Sequence, residues 1–369
     1  MKHRSFLVIL ASLAFPVALG VAGCGKSPPK STARPVVIPD EKDEPNPARP
    51  SPASTADARA AAKAAADAKA AEDQKKAEAV AKEDAKVEEQ AAKEAARWTP
   101  EMHKAAEKMV AKVGARPADF RPAMAAILRS KHRKPGNAAR DKYRHPLETL
   151  GFFGIAPSST VLEIGVGEGW YTELLAPLLA KHGKLMVAGP DPESPAGTMR
   201  AVGAKRNALL FAKAPEIFGG VQVAPIAPPD SLSLGPDGAV DVVLVMREMH
   251  NWHRNKLLPS YLASIHAVLK DKGVLGIEQH RAKPDANADD SAEKGYLPEK
   301  WLIATVEAAG FKLAAKSEIN SNKKDTKDYP DGVWTLPPAF AKGDTDKAKY
   351  QAIGESDRMT LKFVKVPKS

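Results

Sequence analysis

A short apolar strand that runs directly into alternating glycines is the feature that most constrains this chain. Thr160–Ile164 has the length and the apolar character of a buried strand, and Gly165, Gly167 and Gly169 follow it at once. Glycines let the backbone turn tightly and approach a ligand without side chains in the way. A helix is predicted from there to about Leu179. This order of elements predicts an α/β domain with a ligand-binding bend after its first strand.

The carboxylate near the end of this strand indicates which ligand the bend receives. Dinucleotide-binding loops need their third glycine one place after Gly169, where this chain has Trp170. Glu163 would repel a pyrophosphate, but it would attract the ammonium and the nearby sulfonium of S-adenosylmethionine (SAM). Glu163 and the three glycines therefore predict a SAM site. A glycine-rich turn in an unrelated α/β domain is the alternative.

The next two strands are expected to complete the cofactor site. After the strand Lys184–Ala188 a carboxylate should meet the ribose hydroxyls, but a glycine and a proline intervene, so Asp191 or Glu193 is the shifted candidate. After the third strand, Val221–Val223, Asp230 is the candidate that meets the adenine amino group. Each of these carboxylates could equally be an ordinary loop charge or a turn cap.

Two further strands end in polar residues at the edge where open α/β sheets bind ligands. The buried strand Asp241–Val245 leads to His250, a candidate catalytic base because imidazole titrates near neutrality. The strand Gly273–Glu278 leads to His280 and Arg281, which could hold an acidic or hydroxylated substrate. His280 is also a candidate catalytic residue. Packing or surface roles are the alternatives for all three.

A long segment without a regular pattern lies before the last predicted strand. Residues 328–338 include Trp334 and several prolines and aspartates. Loops of this length inside a compact domain are commonly functional lids, so Trp334 is a candidate to cover the substrate. A surface decoration is the alternative. The regular elements around it are predicted as helices at 257–269 and 299–309 and strands at 311–317 and 358–364.

The N-terminus has the pattern of an export signal that ends at a cysteine. A cationic start, Met1–Arg4, precedes an apolar run too short for a comfortable membrane span. Val21–Cys24 resembles the bacterial lipobox, in which the cysteine thiol is diacylated and becomes the new N-terminus. We therefore expect residues 1–23 to be a signal peptide and Cys24 to carry a lipid anchor. A cleaved signal with an incidental cysteine is the alternative.

The residues around the anchor also bear on location. Cys24 is the only cysteine of the chain, so no disulfide can form within one molecule. Gly25 follows it, where an aspartate would argue for retention at the inner membrane of a Gram-negative cell. The sequence therefore predicts a protein of the cell envelope, anchored by lipid in the outer membrane and facing the periplasm.

The segment between the anchor and the domain is expected to be a tether. Residues 24–53 are rich in proline and charge and have almost no large apolar residue, which predicts a disordered linker. Residues 54–97 are rich in alanine, lysine and glutamate, which predicts one long helix. Because that helix is polar nearly all round, we interpret it as a spacer, with a coiled coil as the alternative. Asp84 and Glu88, four residues apart, are expected to repel each other.

The rest of the chain divides into a helical lead-in, residues 98–139, and a domain, residues 140–369. Helices are predicted in the lead-in at 100–113 and 117–128. The formal net charge of the whole chain is +10, and most of the basic excess lies beyond residue 97. This charge suits an anionic membrane surface or an acidic substrate, and an ordinary solvated surface is the alternative.

Five short motifs along residues 140–369 point to a family. They are Arg140-Asp141-x-Tyr143-Arg144-His145-Pro146, Gly169-Trp170-Tyr171-Thr172-Glu173-Leu174, His280-Arg281-Ala282, Gly310-Phe311 and Gly354-Glu355-Ser356-Asp357-Arg358-Met359-Thr360-Leu361. Together they resemble exported bacterial proteins of the SAM-dependent methyltransferase class. The resemblance implies the α/β class I SAM-methyltransferase fold, a Rossmann-like seven-stranded sheet, mostly parallel with an antiparallel last strand. It also implies that Tyr171 lies beside the cofactor and that Tyr143, Arg144 and His145 belong to a cap over cofactor and substrate.

One function and one alternative follow from these features. The expected function is methyl transfer from SAM to a small-molecule or envelope-component acceptor, by a protein held at the membrane through its lipid. Because SAM is made in the cytoplasm and export places the domain outside, a non-catalytic ligand-binding module on the same fold is the alternative. Residues 246–252 lack the Asn-Pro-Pro-aromatic motif of base-amino methylation, so no nucleic-acid partner is expected. No metal site is expected from the histidine spacing, and the sequence does not indicate an oligomeric state.

Overall fold

The structure is a computed structural model that describes residues 52–115 and 118–367. The predicted signal peptide, Cys24 and the linker up to residue 51 lie outside the described residues. The chain falls into two units, residues 1–63 and residues 64–369. All the contacts described below lie within the second unit, which includes the helix that begins at Pro52 from Ala64 onward. Within the described ranges, no helix is both long and apolar enough to cross a membrane.

Seven strands form a single sheet. They are β1 (Thr160–Ile164), β2 (Lys184–Pro190), β3 (Gln222–Ile226), β4 (Val240–Met246), β5 (Leu269–His280), β6 (Phe311–Ser317) and β7 (Arg358–Lys365). The strand order is β3-β2-β1-β4-β5-β7-β6. Neighbouring strands from β3 to β5 pair in parallel, whereas β7 pairs antiparallel with β5 and β6. This topology confirms the predicted Rossmann-like, class I methyltransferase fold with an antiparallel last strand.

Thirteen α-helices lie within the described residues. They are α1 (Pro52–Arg97), α2 (Pro100–Gly114), α3 (Phe120–Leu128), α4 (Asp141–Arg144), α5 (Pro146–Phe153), α6 (Thr172–Leu179), α7 (Met199–Ala212), α8 (Pro215–Phe218), α9 (Met249–Arg254), α10 (Leu258–Val268), α11 (Ala288–Glu293), α12 (Glu299–Ala308) and α13 (Lys347–Ile353). Two short 3-10 turns, Ala138–Arg140 and Gly332–Thr335, border the ligand edge of the sheet.

The sheet has an apolar core on each face, which explains why β4 is apolar at every position except Asp241 and why Val161 and Leu162 of β1 are both apolar. Val161 packs with helices α2, α3, α5 and α6 on one face, and the next residue, Leu162, packs with α9, α10 and α12 on the other. Successive strand side chains point to opposite faces, so a strand covered on both sides reads as an unbroken apolar run. The glycine bend after β1 is therefore held by a strand that is packed on both sides.

Seven helices of the described residues have no counterpart in the sequence analysis, and the longest of them is α7. Helix α7 lies between β2 and β3, and the Thr198 hydroxyl caps it by accepting a hydrogen bond from the Ala201 amide at 3.2 Å. Its buried residues are only Val202, Ala204 and Asn207. An apolar stripe that short gives no clear helical period, because much of the helix remains accessible to solvent.

The C-terminal part of α1 differs from the expected spacer because it contacts α7. Lys205 on α7 places its Nζ 2.8 Å from an Asp84 carboxylate oxygen and 2.6 Å from one of Glu88. Val87, between them on α1, is buried. The two acidic residues that repel each other in an isolated helix therefore share one cation from another element. The expectation of a helix with nothing to bury fails over these turns.

Candidate active site

A cavity of about 650 Å³ lies at the carboxyl ends of β1, β4 and β5. This volume is within the range of about 300–1,000 Å³ that small-molecule sites occupy. The bend after β1, the start of α9, the turn before β7 and the segment 333–339 surround it, and Lys86 of α1 reaches it from the N-terminal side. In open α/β sheets this is the edge, beside the point where strand order reverses, at which ligands bind.

Glu163 supplies the cavity with a buried carboxyl group. Oε2 of Glu163 accepts a hydrogen bond from the Thr172 hydroxyl at 2.8 Å, and the residue is 3% exposed. Among the described residues, no lysine, arginine or histidine forms an ion pair with it. Burial raises the pKa of Glu163 to about 8, although Thr172 and Arg247 oppose the shift. The group is therefore largely neutral near pH 7 and can ionise when a cation arrives.

The glycine bend brings backbone to the same cavity. Gly165 and Gly167 line it, and both adopt positive φ, +78° and +57°. A Cβ at position 165 would meet Cγ of Glu248 at 3.1 Å, whereas a Cβ at position 167 would meet no atom within 4 Å. Gly169 is not among the lining residues, because it packs on Leu210, which a Cβ there would approach to 2.5 Å. Two glycines thus face the cavity and the third packs the bend against α7.

The two candidate histidines lie side by side in the cavity. The ring centroids of His250 and His280 are 5.7 Å apart, and both residues line the cavity. Burial lowers the pKa of His250 to about 4 and that of His280 well below its usual range. Both imidazoles are therefore neutral at pH 7.

Hydrogen bonds distinguish the roles of these rings. Nδ1 of His250 lies 3.2 Å from the amide nitrogen of Gln279 and 3.5 Å from its amide oxygen; with the nearer nitrogen as donor, a neutral His250 carries its proton on Nε2. Nδ1 of His280 lies 2.6 Å from the Ser356 hydroxyl oxygen. If His280 donates from Nδ1 to that oxygen, its Nε2 has a free lone pair. His250 is thus suited to donate a hydrogen bond to a ligand, and His280 to accept a proton.

Beneath the histidines lies a cluster of buried charged residues that sequence reasoning did not assemble. Glu278, fully buried, pairs with Arg358 at 2.9 Å and Arg247 at 3.2 Å, and it accepts a hydrogen bond from the Tyr171 hydroxyl at 2.5 Å. Burial would raise the pKa of Glu278, but the neighbouring arginines lower it. Tyr171 lines the cavity, and this contact fixes its ring.

A second glutamate joins the cluster to the N-terminal cap. Glu355 pairs with Arg140 at 2.7 Å, Arg144 at 3.2 Å and Arg358 at 3.0 Å. Burial alone would raise the pKa of Glu355, but the three arginines bring it down to about 2. Arg140, Arg144 and Glu355 line the cavity together. The only sequence signal was that these residues stand in the first and last of the five motifs.

The segment with Trp334 forms one wall of the cavity. Trp334 lies in the 3-10 turn Gly332–Thr335, and its ring centroid is 6.0 Å from that of His250 in a T-shaped contact. Val333 and the residues from Leu336 to Ala339 line the cavity as well. Trp334 remains 37% exposed, so one part of its ring meets the cavity and another meets solvent.

The two predicted adenosine contacts do not reach this cavity. Oδ1 of Asp191 accepts a hydrogen bond from the Glu193 amide at 2.9 Å, which closes a local turn. The Asp230 amide donates to the Ala227 carbonyl at 3.0 Å within a second turn, and Asp230 is exposed. Neither carboxylate is among the lining residues. The strand β2 itself includes Gly189 and Pro190, so Asp191 lies in the turn directly after β2, and Asp230 lies in the turn after β3.

Three predicted substrate residues also lie outside the lining of the cavity. Tyr143 packs on Gly354, where a Cβ would approach its ring to 2.7 Å. His145, at the left-handed junction of α4 and α5, places Nδ1 3.3 Å from Oδ1 of Asn320. Arg281 is engaged by three carboxylates, those of Glu299, Glu318 and Asp357. Of the predicted cap and substrate residues, the cavity therefore brings together Arg144 and Trp334.

Comparisons with known proteins found similar solved structures but no similar sequences. No model of a known protein family matches the chain, and no curated protein matches it in sequence. A SAM-dependent methyltransferase from Aquifex aeolicus is 16% identical, with a TM-score of 0.41, over 66% of this chain and 98% of that one.

Two further solved structures are similar in the same way. The 1,6-didemethyltoxoflavin-N1-methyltransferase of Burkholderia thailandensis, solved with 1,6-didemethyltoxoflavin and S-adenosylhomocysteine, is 18% identical, with a TM-score of 0.37, over 68% of this chain and 92% of that one. A SAM-dependent methyltransferase from Mesorhizobium loti is 14% identical, with a TM-score of 0.38, over 62% and 100%. At these identities the likeness concerns the fold alone.

Proposed function

We propose that the chain is a SAM-dependent methyltransferase whose cavity holds the charged end of SAM beside a small acceptor. The observation that carries the proposal is Glu163, a buried carboxyl group without a cationic partner among the described residues, next to the backbone of Gly165 and Gly167. A carboxyl group in that state gains most from a cationic ligand, because the ligand offsets the desolvation that keeps it neutral.

The residues present fit the methionine end of SAM. The cavity offers the buried carboxyl group of Glu163, two glycines without side chains and the indole of Trp170. SAM held by Glu163 and the backbone of Gly165 and Gly167 would supply an electrophilic methyl group, and the electron pair of its carbon–sulfur bond would return to sulfur. The acceptor's lone pair forms the new bond to carbon, and its proton must then leave.

The chain's own residues account for positioning and for that proton. Nε2 of His280 accepts the proton of an acceptor hydroxyl or amine, and Ser356 orients the ring through Nδ1. His250 donates a hydrogen bond from Nε2 to the acceptor, because Gln279 occupies its Nδ1. Trp334 covers this side and excludes water. Most of the rate enhancement then comes from holding the two reactants in near-attack geometry.

A transfer assay tests the proposal. The full chain is incubated with methyl-labelled SAM and an extract of envelope small molecules and proteins, and label transferred to the acceptor is measured. His280→Ala should lower the transfer rate by about 100-fold or more, as expected for loss of a general base. His253→Ala is the matched control, since His253 pairs with Asp289 outside the cavity. Equal rates for the two variants, or no labelled product with any fraction, would count against the proposal.

A non-catalytic binding module is the second candidate, and one observation favours it. Asp191 and Asp230 do not line the cavity, so the adenosine end of SAM lacks the two carboxylates expected to hold it. A smaller cationic ligand would use Glu163 without them. Saturable binding of SAM by the full chain, absent in Glu163→Ala, would support the enzyme over this module.

We also propose that the enzyme acts at the envelope as a lipoprotein anchored through Cys24. The support is the sequence pattern of residues 1–24 alone. Cells that express the chain and are fed a labelled fatty acid should incorporate label into the protein, and Cys24→Ala should abolish it. Label in both forms, or in neither, would remove the anchor from the account.

A further inference from the structure

Two arginines that line the cavity have side-chain N–H donors without a protein acceptor among the described residues. Arg140 and Arg144 each bind Glu355 through Nε, at 2.7 and 3.2 Å. Within residues 52–115 and 118–367, the Nη atoms of both side chains donate to no protein oxygen. Each guanidinium therefore presents its outer nitrogens in the cavity that both residues line. Such paired N–H groups match the oxygens of a carboxylate or a phosphate.

Neighbouring contacts hold the inner arginine in place. The guanidinium carbon of Arg144 lies 4.7 Å from the ring centroid of Trp170, which stacks one face of the group, and the side chain is 5% exposed. Glu355 takes the Nε edge, so the outer edge is the one that remains for a ligand. A guanidinium fixed on one face and one edge loses little entropy when an oxyanion binds.

In the ion-pair cluster beside the cavity, arginines outnumber glutamates. The four arginines Arg140, Arg144, Arg247 and Arg358 share only two glutamates, Glu278 and Glu355. Burial and the nearby arginines lower the pKa of Arg144 to about 9, which is the expected response to a local excess of positive charge. A buried cation without a full counter-charge is costly, and an anionic ligand removes that cost.

A strained backbone position lies next to this group. Arg247 has a φ of +64°, in the left-handed region that a non-glycine residue seldom adopts, and its amide donates to the Glu278 carbonyl at 2.7 Å. Such strain persists where the surrounding structure fixes it, and it is concentrated at functional sites. The arginine at the start of the β4–α9 turn is thus held at the cavity against its local preference.

We infer that Arg140 and Arg144 form an oxyanion subsite, and that the methyl acceptor carries a carboxylate or phosphate group which these arginines bind. The statement that the bound anion is the methyl acceptor rests on the proposed function, but the anion site itself does not depend on that function. Arg247, on the other side of the group, adds positive charge. The acceptor's nucleophilic atom then lies toward His250 and His280, on the same cavity wall as Trp334.

Calorimetry with simple probes tests this subsite without SAM. Benzoate, phenyl phosphate and neutral benzamide are titrated into the full chain, and the two anions distinguish a carboxylate site from a phosphate site. At least one anion should bind with a dissociation constant about tenfold or more below that of benzamide. Equal affinity of all three probes, or no binding by either anion, would overturn the inference.

Variants locate the site. Arg140→Gln should weaken binding of the preferred anion by about tenfold, and circular dichroism checks that the protein is folded. Arg97→Gln is the matched control, because Arg97 also pairs with a glutamate but donates from Nε and both Nη atoms to protein oxygens outside the cavity. Its anion affinity should stay within about twofold of the wild type. An equal loss in both variants would place the anion elsewhere.

Separate titration with SAM keeps the two proposals apart. If the anion binds but SAM does not, the subsite stands and the proposed methyl transfer fails. If SAM binds and neither anion does, the subsite fails and methyl transfer to an uncharged acceptor remains. The comparison of the two anions with benzamide uses wild-type protein, so it decides the matter even if Arg140→Gln does not fold.

Discussion

The two halves of the sheet's ligand edge are built in different ways. Around β1, β4, β5 and β7, charged residues such as Glu163, Glu278 and Arg358 are almost fully buried and border or support one cavity. At the ends of β2 and β3, Asp191 and Asp230 make short turns with their own loops and lie outside that cavity. We call these the buried-charge half and the turn half.

The comparison shows that the unfavourable desolvation of charged groups is confined to one half of this edge. Burying ionised groups is unfavourable unless their geometry serves something beyond stability. The buried-charge half has this cost where the charged end of SAM and an anionic acceptor would meet. The turn half has no such cost, so the specificity of the site should come mainly from the reacting groups and less from the adenosine.

The largest expected difference between the halves is in stability. Glu278→Ala leaves Arg358 and Arg247 without their shared carboxylate, and it should lower the free energy of unfolding by about 3–5 kcal/mol. Asp191→Ala removes one local turn contact and should cost less than about 1 kcal/mol. Urea denaturation of both variants measures this. Comparable losses would mean that the halves do not differ as described.

On the buried-charge half, Glu163→Gln should raise the free energy of unfolding by an amount that depends on pH. Because the pKa of Glu163 is raised from 4.5 to about 8 on folding, its protonated form stabilises the fold fully below pH 4.5. That contribution is lost as the pH rises toward 8. Glu163→Gln keeps an acceptor for Thr172 and removes the titration, so it should be more stable than the wild type by about 3 kcal/mol at pH 7 and nearly equal at pH 4.5.

Urea denaturation at pH 5 and pH 8 measures the effect of Glu163→Gln. Glu168→Gln is the control on the same bend: Lys134 outweighs burial and lowers the pKa of Glu168, so the stability that this carboxylate contributes is fully present above pH 4.5, and the loss in Glu168→Gln should be the same at pH 5 and pH 8. A gain in Glu163→Gln that does not change with pH would show that the carboxyl group is already ionised in the folded protein.

A smaller effect should come from the hydrogen bond that joins the bend to the cluster. Tyr171→Phe removes the donor to Glu278 and should cost about 2 kcal/mol, as expected for a hydrogen bond to a charged group. Tyr261→Phe is the matched control, since Tyr261 is buried and stacks on Trp252 away from the cavity. Thermal denaturation of both variants compares them, and an equal loss would remove Tyr171 from the cluster's support.

The smallest effect is expected beside the turn half, where α1 meets α7. Lys205 of α7 pairs with Asp84 and Glu88 of α1 at 2.8 and 2.6 Å, and all three side chains are exposed. Such exposed pairs contribute little, so Lys205→Gln should lower the free energy of unfolding by less than about 1 kcal/mol, with a smaller difference at high salt. A loss of several kcal/mol would mean that α1 is an integral part of the fold.

The sequence predicted those parts of the fold that depend on local pattern. Strands β1 and β6 were predicted with their observed bounds, because each has apolar residues beside a glycine that marks one end, Gly165 after β1 and Gly310 before β6. Helix α7 was missed because its buried side is too short to set a period. The repulsion expected between Asp84 and Glu88 is relieved by Lys205, which lies 121 and 117 residues away along the chain.

The site was predictable only in part for the same reason. Glu163, Gly165 and Gly167 lie within five residues of one another, and they reach the cavity together. The arginine cluster depends on pairs such as Arg140 with Glu355, which are 215 residues apart, so no local pattern announces it. Asp191 and Asp230 were inferred from the position of their strands, but local turns redirect both side chains.

Proton release on SAM binding tests the central claim most directly. If a cation settles beside a neutral Glu163, the carboxyl group must ionise, and calorimetry at pH 7 in two buffers of different ionisation enthalpy counts the released proton. We predict that the wild type binds SAM and releases about one proton more than Glu163→Gln does. Binding of SAM with the same proton count in both proteins, or no binding at all, would contradict the account.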